Sequence, residues 1–162
     1  MNKIVIFGNS GSGKSTLAKK LALEGKLAHL DLDTIAWKPE SPPQRKPIPK
    51  SRKSIDDFLN ANQNWVVEGS YSDLLELVIP SAEEVIYLNL PISACVANAK
   101  KRPWEPHKYV SKKAQDANLN MLIAWVSRYE SRAGTFSKAA HDKLFKTFQG
   151  NKTMHLSNQH NR

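Results

Sequence analysis

A glycine-rich stretch near the start of the chain has the residue types and spacing of a phosphate-binding loop. It reads Gly8-Asn9-Ser10-Gly11-Ser12-Gly13-Lys14-Ser15-Thr16, which matches the pattern G-x-x-x-x-G-K-[ST]. Glycines let successive backbone N–H groups point at phosphate oxygens, and the start of the following helix adds a positive dipole end. Lys14 would reach the β- and γ-phosphates of ATP, and Ser15 would bind Mg²⁺. The alternative is a glycine-serine turn that simply precedes a helix.

Two aspartates stand at the end of a short predicted strand. Asp31 and Asp33 are two residues apart and follow Ala28-His29-Leu30. Parallel α/β sheets bind ligands at the carboxyl ends of their strands, so both carboxylates are expected to face the phosphates. A carboxylate in this position can accept the proton of an acceptor hydroxyl during phosphoryl transfer. The alternative is a pair of loop aspartates that cap a turn.

The elements that must position these residues alternate along the chain. Short β-branched runs predict strands, and helical patterns lie between them. The predicted strands cover residues 3–7, 28–31, 65–68, 85–90 and 152–156. Such alternation predicts an α/β fold with a parallel sheet.

One segment without periodicity carries much of the positive charge. Residues 38–53 hold five prolines and six basic side chains, which predicts a mobile loop. Ser54-Ile55-Asp56-Asp57 then has the form of a capping box, so we expect the next helix to open there.

A second break separates two helical patterns. Residues 103–113, which begin with Pro103-Trp104-Glu105-Pro106, form a candidate lid. The pattern that follows predicts one long helix over residues 114–132, with Arg128 and Arg132 at the edge of its buried face. The alternative for these arginines is a set of ordinary ion pairs with surface carboxylates.

Composition bounds the class of protein. The 162 residues, 40% of them hydrophobic, suit a single domain over residues 1–162 that buries a sheet under helices on both faces. No apolar run reaches the roughly 20 residues of a membrane span or the core of a signal peptide, so we expect a soluble cytoplasmic protein, a monomer by default. Cys95 has no internal disulfide partner and is expected to be buried. The net charge of +9 predicts anionic partners, such as nucleotides, an acidic substrate or nucleic acid.

The order of these segments resembles a known family. KIVIF followed by GNSGSGKST, then HLDLD, WVVEGSY and VIYLNLP, is similar to the adenylate kinase-like and shikimate kinase-like P-loop kinases over residues 3–133. The nearest likeness is to a branch labelled adenylate kinase-related or DNA topology modulation proteins, which share the acidic pair followed by Trp37 and the segment Glu68-Gly69-Ser70-Tyr71. The resemblance implies a three-layer P-loop fold, with a five-stranded parallel sheet of order 2-3-1-4-5, and phosphoryl transfer from ATP.

The resemblance also implies roles for the carboxylates. Asp31 would organise Mg²⁺, Asp33 would act on an acceptor hydroxyl, and Glu68 would hold a magnesium-bound water. Glutamate stands where aspartate is commoner, so a plain strand-end carboxylate is the alternative for Glu68. Trp37 and Tyr71 would stack on an acceptor ring or belong to the core.

Basic residues complete the implied site. In the resembling kinases, arginines of the lid and of the helix after it clamp the phosphates, and Arg102, Arg128 and Arg132 fit that arrangement. After the fifth predicted strand, Ser157-Asn158-Gln159 can reach a base edge, which leaves the choice between adenine and guanine open.

Two functions of different class follow. The first is a kinase that transfers the γ-phosphoryl group of MgATP to a small-molecule acceptor, either a hydroxyl compound or a nucleoside monophosphate. The Asp31 and Asp33 pair favours a hydroxyl, whereas the basic residues 38–53 favour an anionic partner. The alternative is a nucleic-acid-associated ATPase, or a regulator that binds ATP without a metabolite substrate.

Overall fold

Strands and helices alternate along the chain in the computed structural model, which describes residues 2–40 and 42–158. The strands are β1 (Lys3–Gly8), β2 (Ala28–Asp31), β3 (Trp65–Gly69), β4 (Glu84–Leu88) and β5 (Asn151–His155). The helices are α1 (Lys14–Gly25), α2 (Asp33–Ala36), α3 (Ile48–Ala61), α4 (Ser72–Val78), α5 (Ile92–Lys101), α6 (Lys112–Ala117), α7 (Leu119–Ser127) and α8 (Lys138–Thr147). A 3₁₀ turn (Ile79–Ser81) follows α4.

The strands of the described residues form one parallel sheet of order β2-β3-β1-β4-β5. This architecture confirms the predicted five-stranded α/β fold. β1 is central, because Val5 aligns with Val67 of β3 and with Val85 of β4. The parallel arrangement brings the ends of β1, β2 and β3 to one edge, where the phosphate loop, Asp31 and Glu68 meet.

Each face of the sheet carries its own apolar core, since successive strand residues point to opposite faces. Val5 and Phe7 pack with residues of α3, α4 and α8. Ile4 and Ile6 pack with residues of α1, α5 and α7. Cys95 of α5 is fully buried in this second core, as expected for a small apolar side chain. Helices therefore cover both faces.

Helix α3 corrects the prediction for residues 38–53. It begins at Ile48, so residues 48–53 are helical and the predicted capping box at Ser54 is wrong. Pro49 is tolerated because the first turn of a helix needs no N–H donor. Ser54 lies inside the helix, whereas Ser51 and Ile55 form its buried face. Residues 38–47 keep an irregular path, with Ser41 outside the described residues, and their mobility stays a prediction.

The region predicted as one long helix over residues 114–132 is two shorter ones. The break falls at Asn118, whose side-chain amide donates to the hydroxyl of Tyr109 at 2.9 Å. Helix α7 then ends at Ser127, and Arg128 is its C-cap. Beyond it the chain turns so that Tyr129 is buried. The predicted helical register of Arg128 and Arg132 is therefore wrong.

Among the described residues, no helix combines the length and the apolar character needed to cross a membrane.

Candidate active site

The loop between β1 and α1 has the backbone of a phosphate-binding loop. Gly13, the N-cap of α1, has φ 93°, and Gly11 has φ 79°; L side chains rarely adopt such angles. A Cβ atom on Gly11 would also lie 2.5 Å from the carbonyl oxygen of Cys95. Helix α1 begins directly at Lys14, which leaves its first N–H groups free for an anion. The loop therefore fits a bound phosphate.

Lys14 supplies a cation without an acidic partner. Its Nζ donates to the carbonyl oxygen of Asn9 at 2.8 Å. Burial lowers the pKa of Lys14, although the negative charges of Glu68 and Asp33 oppose this effect. Among the described residues, no carboxylate forms an ion pair with Lys14. A mostly buried ammonium bonded only to a neutral carbonyl is suited to an anionic ligand.

A hydroxyl and two carboxylates next to the loop form an oxygen-rich group. The hydroxyl of Ser15 donates to Oε2 of Glu68 at 2.7 Å, and Nε2 of His29 lies 3.0 Å from the same oxygen. Asp31 aligns with Glu68 in the register of β2 and β3. Burial raises the pKa of Asp31, as do the negative charges of Glu68 and Asp33.

This donor set suits Mg²⁺ better than a softer metal. Among the described residues, no group of three or more His, Cys, Asp or Glu side chains is arranged to hold a metal ion by itself. Mg²⁺ usually takes only one or two carboxylates and completes its shell with water and substrate phosphates. Ser15, Asp31 and Glu68 fit that pattern, and the crowding of negative charge around Asp31 would be relieved by a cation.

Asp33 is held by donors on both of its oxygens. The hydroxyl of Tyr71 donates to Oδ1, and Nζ of Lys108 lies 2.9 Å from Oδ2. The indole N–H of Trp37 donates to the Tyr71 oxygen at 2.8 Å, which fixes the phenol. Burial favours the neutral acid, but the charge of Lys108 and the hydrogen bonds outweigh it and lower the pKa of Asp33. Asp33 is therefore a carboxylate at neutral pH.

Lys108 is the site residue that sequence reasoning missed. It lies between α5 and α6, in the segment predicted as a lid, and the fold carries it from there to Asp33 in α2. No spacing in the sequence relates two residues 75 positions apart. The proline-flanked break at residues 103–106 is the one local signal, and it indicates the segment rather than the residue.

Tyr71 and Trp37 take part in the site through hydrogen bonds. Tyr71 is buried, and its ring lies below the guanidinium of Arg45, 5.0 Å from ring centroid to Cζ. Arg45 in turn pairs with Asp73 at 3.0 Å. The Tyr71 ring is thus covered by the protein's own side chain, and its hydroxyl is the part that reaches Asp33.

Arg132 reaches the phosphate loop. Its Nη2 lies 3.4 Å from Oδ1 of Asn9, and its Nε donates to the carbonyl oxygen of Phe136 at 3.0 Å. The guanidinium lies 3.8 Å from the ring centroid of Trp125 and also donates to the backbone carbonyl of that residue. This fixed position puts a cation beside the loop.

The other two predicted arginines lie differently. Arg102 caps the end of α5, pairs with Glu105 at 3.3 Å, and lies near enough to Lys14 to disfavour its charge. Arg128 is exposed, and its side chain makes no hydrogen bond or ion pair with a described residue. The functional roles of both arginines stay predictions.

The remaining loop residues differ in exposure. The Ser12 hydroxyl is buried and has no hydrogen-bond partner among the described residues. Ser10 is half-buried and Thr16 is exposed on the first turn of α1. The Ser12 hydroxyl is therefore free to bond with a ligand, as the Lys14 ammonium is.

The segment after β5 is linked to the phosphate loop through the side chain of Asn98. Asn98 donates to the carbonyl oxygen of Gly11 at 2.8 Å and to Oδ1 of Asn158 at 2.9 Å. Ser157 and Asn158 are thereby close to the phosphate loop. Gln159, which was also assigned to a base edge, lies outside the described residues.

Comparison with protein-family models and with curated protein sequences found no match. Solved structures do match. TT1252 from Thermus thermophilus is 15% identical with a TM-score of 0.57, over 98% of this chain and 88% of that one. Shikimate kinase from Bacteroides thetaiotaomicron is 16% identical with a TM-score of 0.52, over 99% of this chain and 90% of that one.

The chain shares the three-layer P-loop α/β fold of these structures. Identities this low show the fold alone, and the likeness to the DNA topology modulation branch stays a prediction. Within this fold, the loop, the carboxylates and the basic residues described above lie at the carboxyl ends of the strands, where parallel α/β sheets bind ligands.

Proposed function

We propose that this protein transfers the γ-phosphoryl group of MgATP to a small-molecule acceptor. The observation that carries the proposal is the Lys14 ammonium, which lies in a glycine-rich loop near Glu68 and Asp33 but forms no ion pair with a carboxylate of the described residues. A polyphosphate would supply the missing anion, and Mg²⁺ would screen it from Asp31 and Glu68. The P-loop kinase fold supports the same reaction class.

On the donor side, where ATP would bind, both backbone and side-chain groups would contact the phosphates. The loop from Gly8 to Gly13 and the start of α1 would bind the phosphates, together with Lys14. Ser15, Asp31 and Glu68 would hold Mg²⁺, which draws charge from the transferring group when bound. Arg132 and Arg102 would add positive charge where the transferred group becomes more negative.

The acceptor side centres on Asp33. As a carboxylate fixed by Tyr71, it would orient an acceptor hydroxyl and take its proton as the new P–O bond forms. This arrangement favours a hydroxyl acceptor over the phosphate of a nucleoside monophosphate, because Asp33 would repel a second anion.

A mass-spectrometric screen tests the proposal. The protein is incubated with MgATP and pools of nucleosides, nucleotides, sugars and hydroxy acids, and products are searched for the mass gain of one phosphoryl group. The Lys14→Ala variant serves as the inactive control. Wild-type protein that binds MgATP but phosphorylates no pool, while DNA accelerates its ATP hydrolysis, would favour the nucleic-acid-associated alternative.

A further inference from the structure

Lys108 is the residue through which the lid contacts the acceptor side of the site. Its Nζ lies 2.9 Å from Oδ2 of Asp33 and 3.6 Å from Oε2 of Glu105. Its side chain is 26% exposed. Burial disfavours the charge of Lys108, but Asp33 outweighs burial and the pKa of Lys108 is raised. Lys108 is therefore a cation that pairs with both Asp33 of α2 and Glu105 of the lid.

Lys108 lies in a turn over residues 105–109, called here the lid turn, which is hydrogen-bonded to the helices that follow it. The backbone N–H groups of Lys108 and Tyr109 donate to the Glu105 carbonyl, both at 3.0 Å. The N–H of Glu105 donates to Oε1 of Gln115 in α6 at 2.8 Å. Asn118, at the break between α6 and α7, donates to the Tyr109 hydroxyl. The lid turn is thus attached to α6 and α7, and Lys108 extends from it to Asp33.

The Lys108 contact competes with the role proposed for Asp33. Tyr71 occupies Oδ1 and is itself fixed by Trp37, so Oδ2 is the oxygen that an acceptor hydroxyl must use. That oxygen is bonded to Lys108. Ion pairs between partly exposed groups are weak, so an acceptor hydroxyl can displace the ammonium when the rest of the acceptor is bound, whereas a water molecule lacks that additional binding energy.

We propose that Lys108 caps Asp33 until an acceptor hydroxyl replaces it, and thereby keeps Asp33 from activating water. The inference rests on the proposed function. Lys108 acts through Asp33 and is a positioning residue. Its contribution is selectivity for transfer over hydrolysis.

Without the Lys108 ammonium, Asp33 would promote the attack of water on ATP. Without the cap, Oδ2 of Asp33 accepts a proton from water, and the water oxygen bonds to the γ-phosphorus of ATP. The bond from that phosphorus to the β,γ-bridging oxygen breaks, ADP and inorganic phosphate leave, and Asp33 returns its proton to solvent. No other reactant is needed.

Hydrogen exchange of the ligand-free protein tests the contact without any catalysis. Lys108→Met keeps an unbranched side chain of similar length and removes its charge, so amide exchange in residues 103–111 should rise. Asp33→Asn should raise it in the same residues, and the double variant should add little. Lys112→Met is the matched control, because Lys112 pairs only within α6, with Asp116. Equal exchange in wild type and Lys108→Met would overturn the proposal.

Acceptor-free hydrolysis of MgATP tests the cap itself. Lys108→Met should hydrolyse MgATP at least about tenfold faster than wild type, since a positioned base contributes about 10²- to 10⁴-fold. Lys108→Arg should keep the wild-type rate, because it restores the cation, and Lys112→Met should also match wild type. Faster exchange in residues 103–111 with an unchanged hydrolysis rate would overturn the proposal, since Lys108 would then only hold the lid.

A titration of MgATP separates the two levels of inference. Wild-type protein that does not bind MgATP would refute the proposed function, and the role of Lys108 would fall with it. MgATP binding with no difference in hydrolysis between wild type and Lys108→Met would refute the cap and leave the proposed function standing.

Discussion

His141 is a buried residue whose hydrogen bonds hold the backbone next to the site in place. Its Nδ1 accepts the Tyr129 hydroxyl at 2.6 Å, and its Nε2 donates to the Ser70 carbonyl at 2.8 Å. Because a carbonyl can only accept, the partners fix the neutral tautomer with its proton on Nε2. Ser70 stands between Glu68 and Tyr71, so this hydrogen bond fixes the backbone that carries both.

The pKa of His141 makes stability depend on pH. Burial lowers it to about 4 from an ordinary value of 6.5. The unfolded chain binds a proton at His141 between these values while the folded protein does not, so stability falls as the pH drops from about 6.5 to 4. Between pH 7 and pH 5 this residue should cost about 2 kcal/mol.

Urea unfolding of wild type and His141→Gln at pH 7 and pH 5 measures that contribution. The variant should be less stable than wild type at pH 7, but its free energy of unfolding should fall less between pH 7 and pH 5. His107→Gln, which changes an exposed histidine, is the control substitution. Parallel pH dependence in wild type and His141→Gln would contradict the assignment.

Lys14→Ala should weaken MgATP binding and leave the fold intact. Lys14 forms no ion pair with a carboxylate in the described part of the chain, and a hydrogen bond to a charged group is worth about 1.5–3 kcal/mol, which corresponds to roughly 10- to 100-fold in Kd. Titration calorimetry measures the affinity, and thermal unfolding checks the fold. Lys19→Ala, on the exposed side of α1, is the control. Equal affinities for Lys14→Ala and wild type would remove Lys14 from the phosphate site.

Asp33→Asn should reduce phosphoryl transfer far more than MgATP affinity. A base acts on the acceptor in the transition state, whereas the loop binds the ground-state phosphates. Once an acceptor is identified, kcat and KM report the two effects separately. Asp57→Asn changes an exposed aspartate of α3 and should behave as wild type. Unchanged turnover in Asp33→Asn would make Asp33 a structural residue.

At the scale of elements, local sequence signals predicted the sheet well. Each predicted strand matches the observed one within a few residues, because β-branched runs bounded by glycine or polar residues suit buried parallel strands. The start of α3 was missed, since Pro47 and Pro49 have the composition of a loop. The burial of Ile55 in the core favours a helix there in spite of that composition.

The site was predictable where its residues are contiguous. The loop from Gly8 to Ser15 is one stretch, so its place between β1 and α1 followed from the sequence. The break at Asn118 and the position of Lys108 depend on partners far along the chain. Tertiary contacts of that kind leave no periodic signal.

Helix α7 ends before both arginines, so Arg128 and Arg132 do not lie on the one long helix that the sequence predicts. Arg132→Ala removes a guanidinium that touches Asn9 and stacks on Trp125, so it should lower MgATP affinity and also cost about 1–2 kcal/mol of stability. Arg128→Ala, at the exposed C-cap, should have the smaller effect on both. Calorimetric titration and urea unfolding measure which of the two variants loses more MgATP affinity and more stability. A larger effect from Arg128→Ala would contradict this placement of the site.

At the scale of the whole molecule, the net charge is +9, but several of the 24 basic side chains are paired within single helices and are not free to contact phosphates. Lysines 53, 112 and 138 each pair with an aspartate four residues on. We therefore expect duplex DNA to bind weakly, with affinity that falls steeply between 50 and 200 mM salt, and without faster MgATP hydrolysis. Fluorescence anisotropy and a coupled ATPase assay measure the two quantities. Tight binding that resists salt and accelerates hydrolysis would favour the nucleic-acid alternative.

The central place of β1 in the sheet has a consequence for the order in which the molecule comes apart. β1 is flanked by β3 and β4 and buried on both faces, whereas β5 is an edge strand with several exposed residues. Fraying at such an edge costs less free energy than opening the centre. The phosphate loop follows β1 directly, so we expect it to stay formed until the central strands separate. A nucleotide bound there would consequently raise the free energy of global unfolding and leave the free energy of fraying at β5 unchanged.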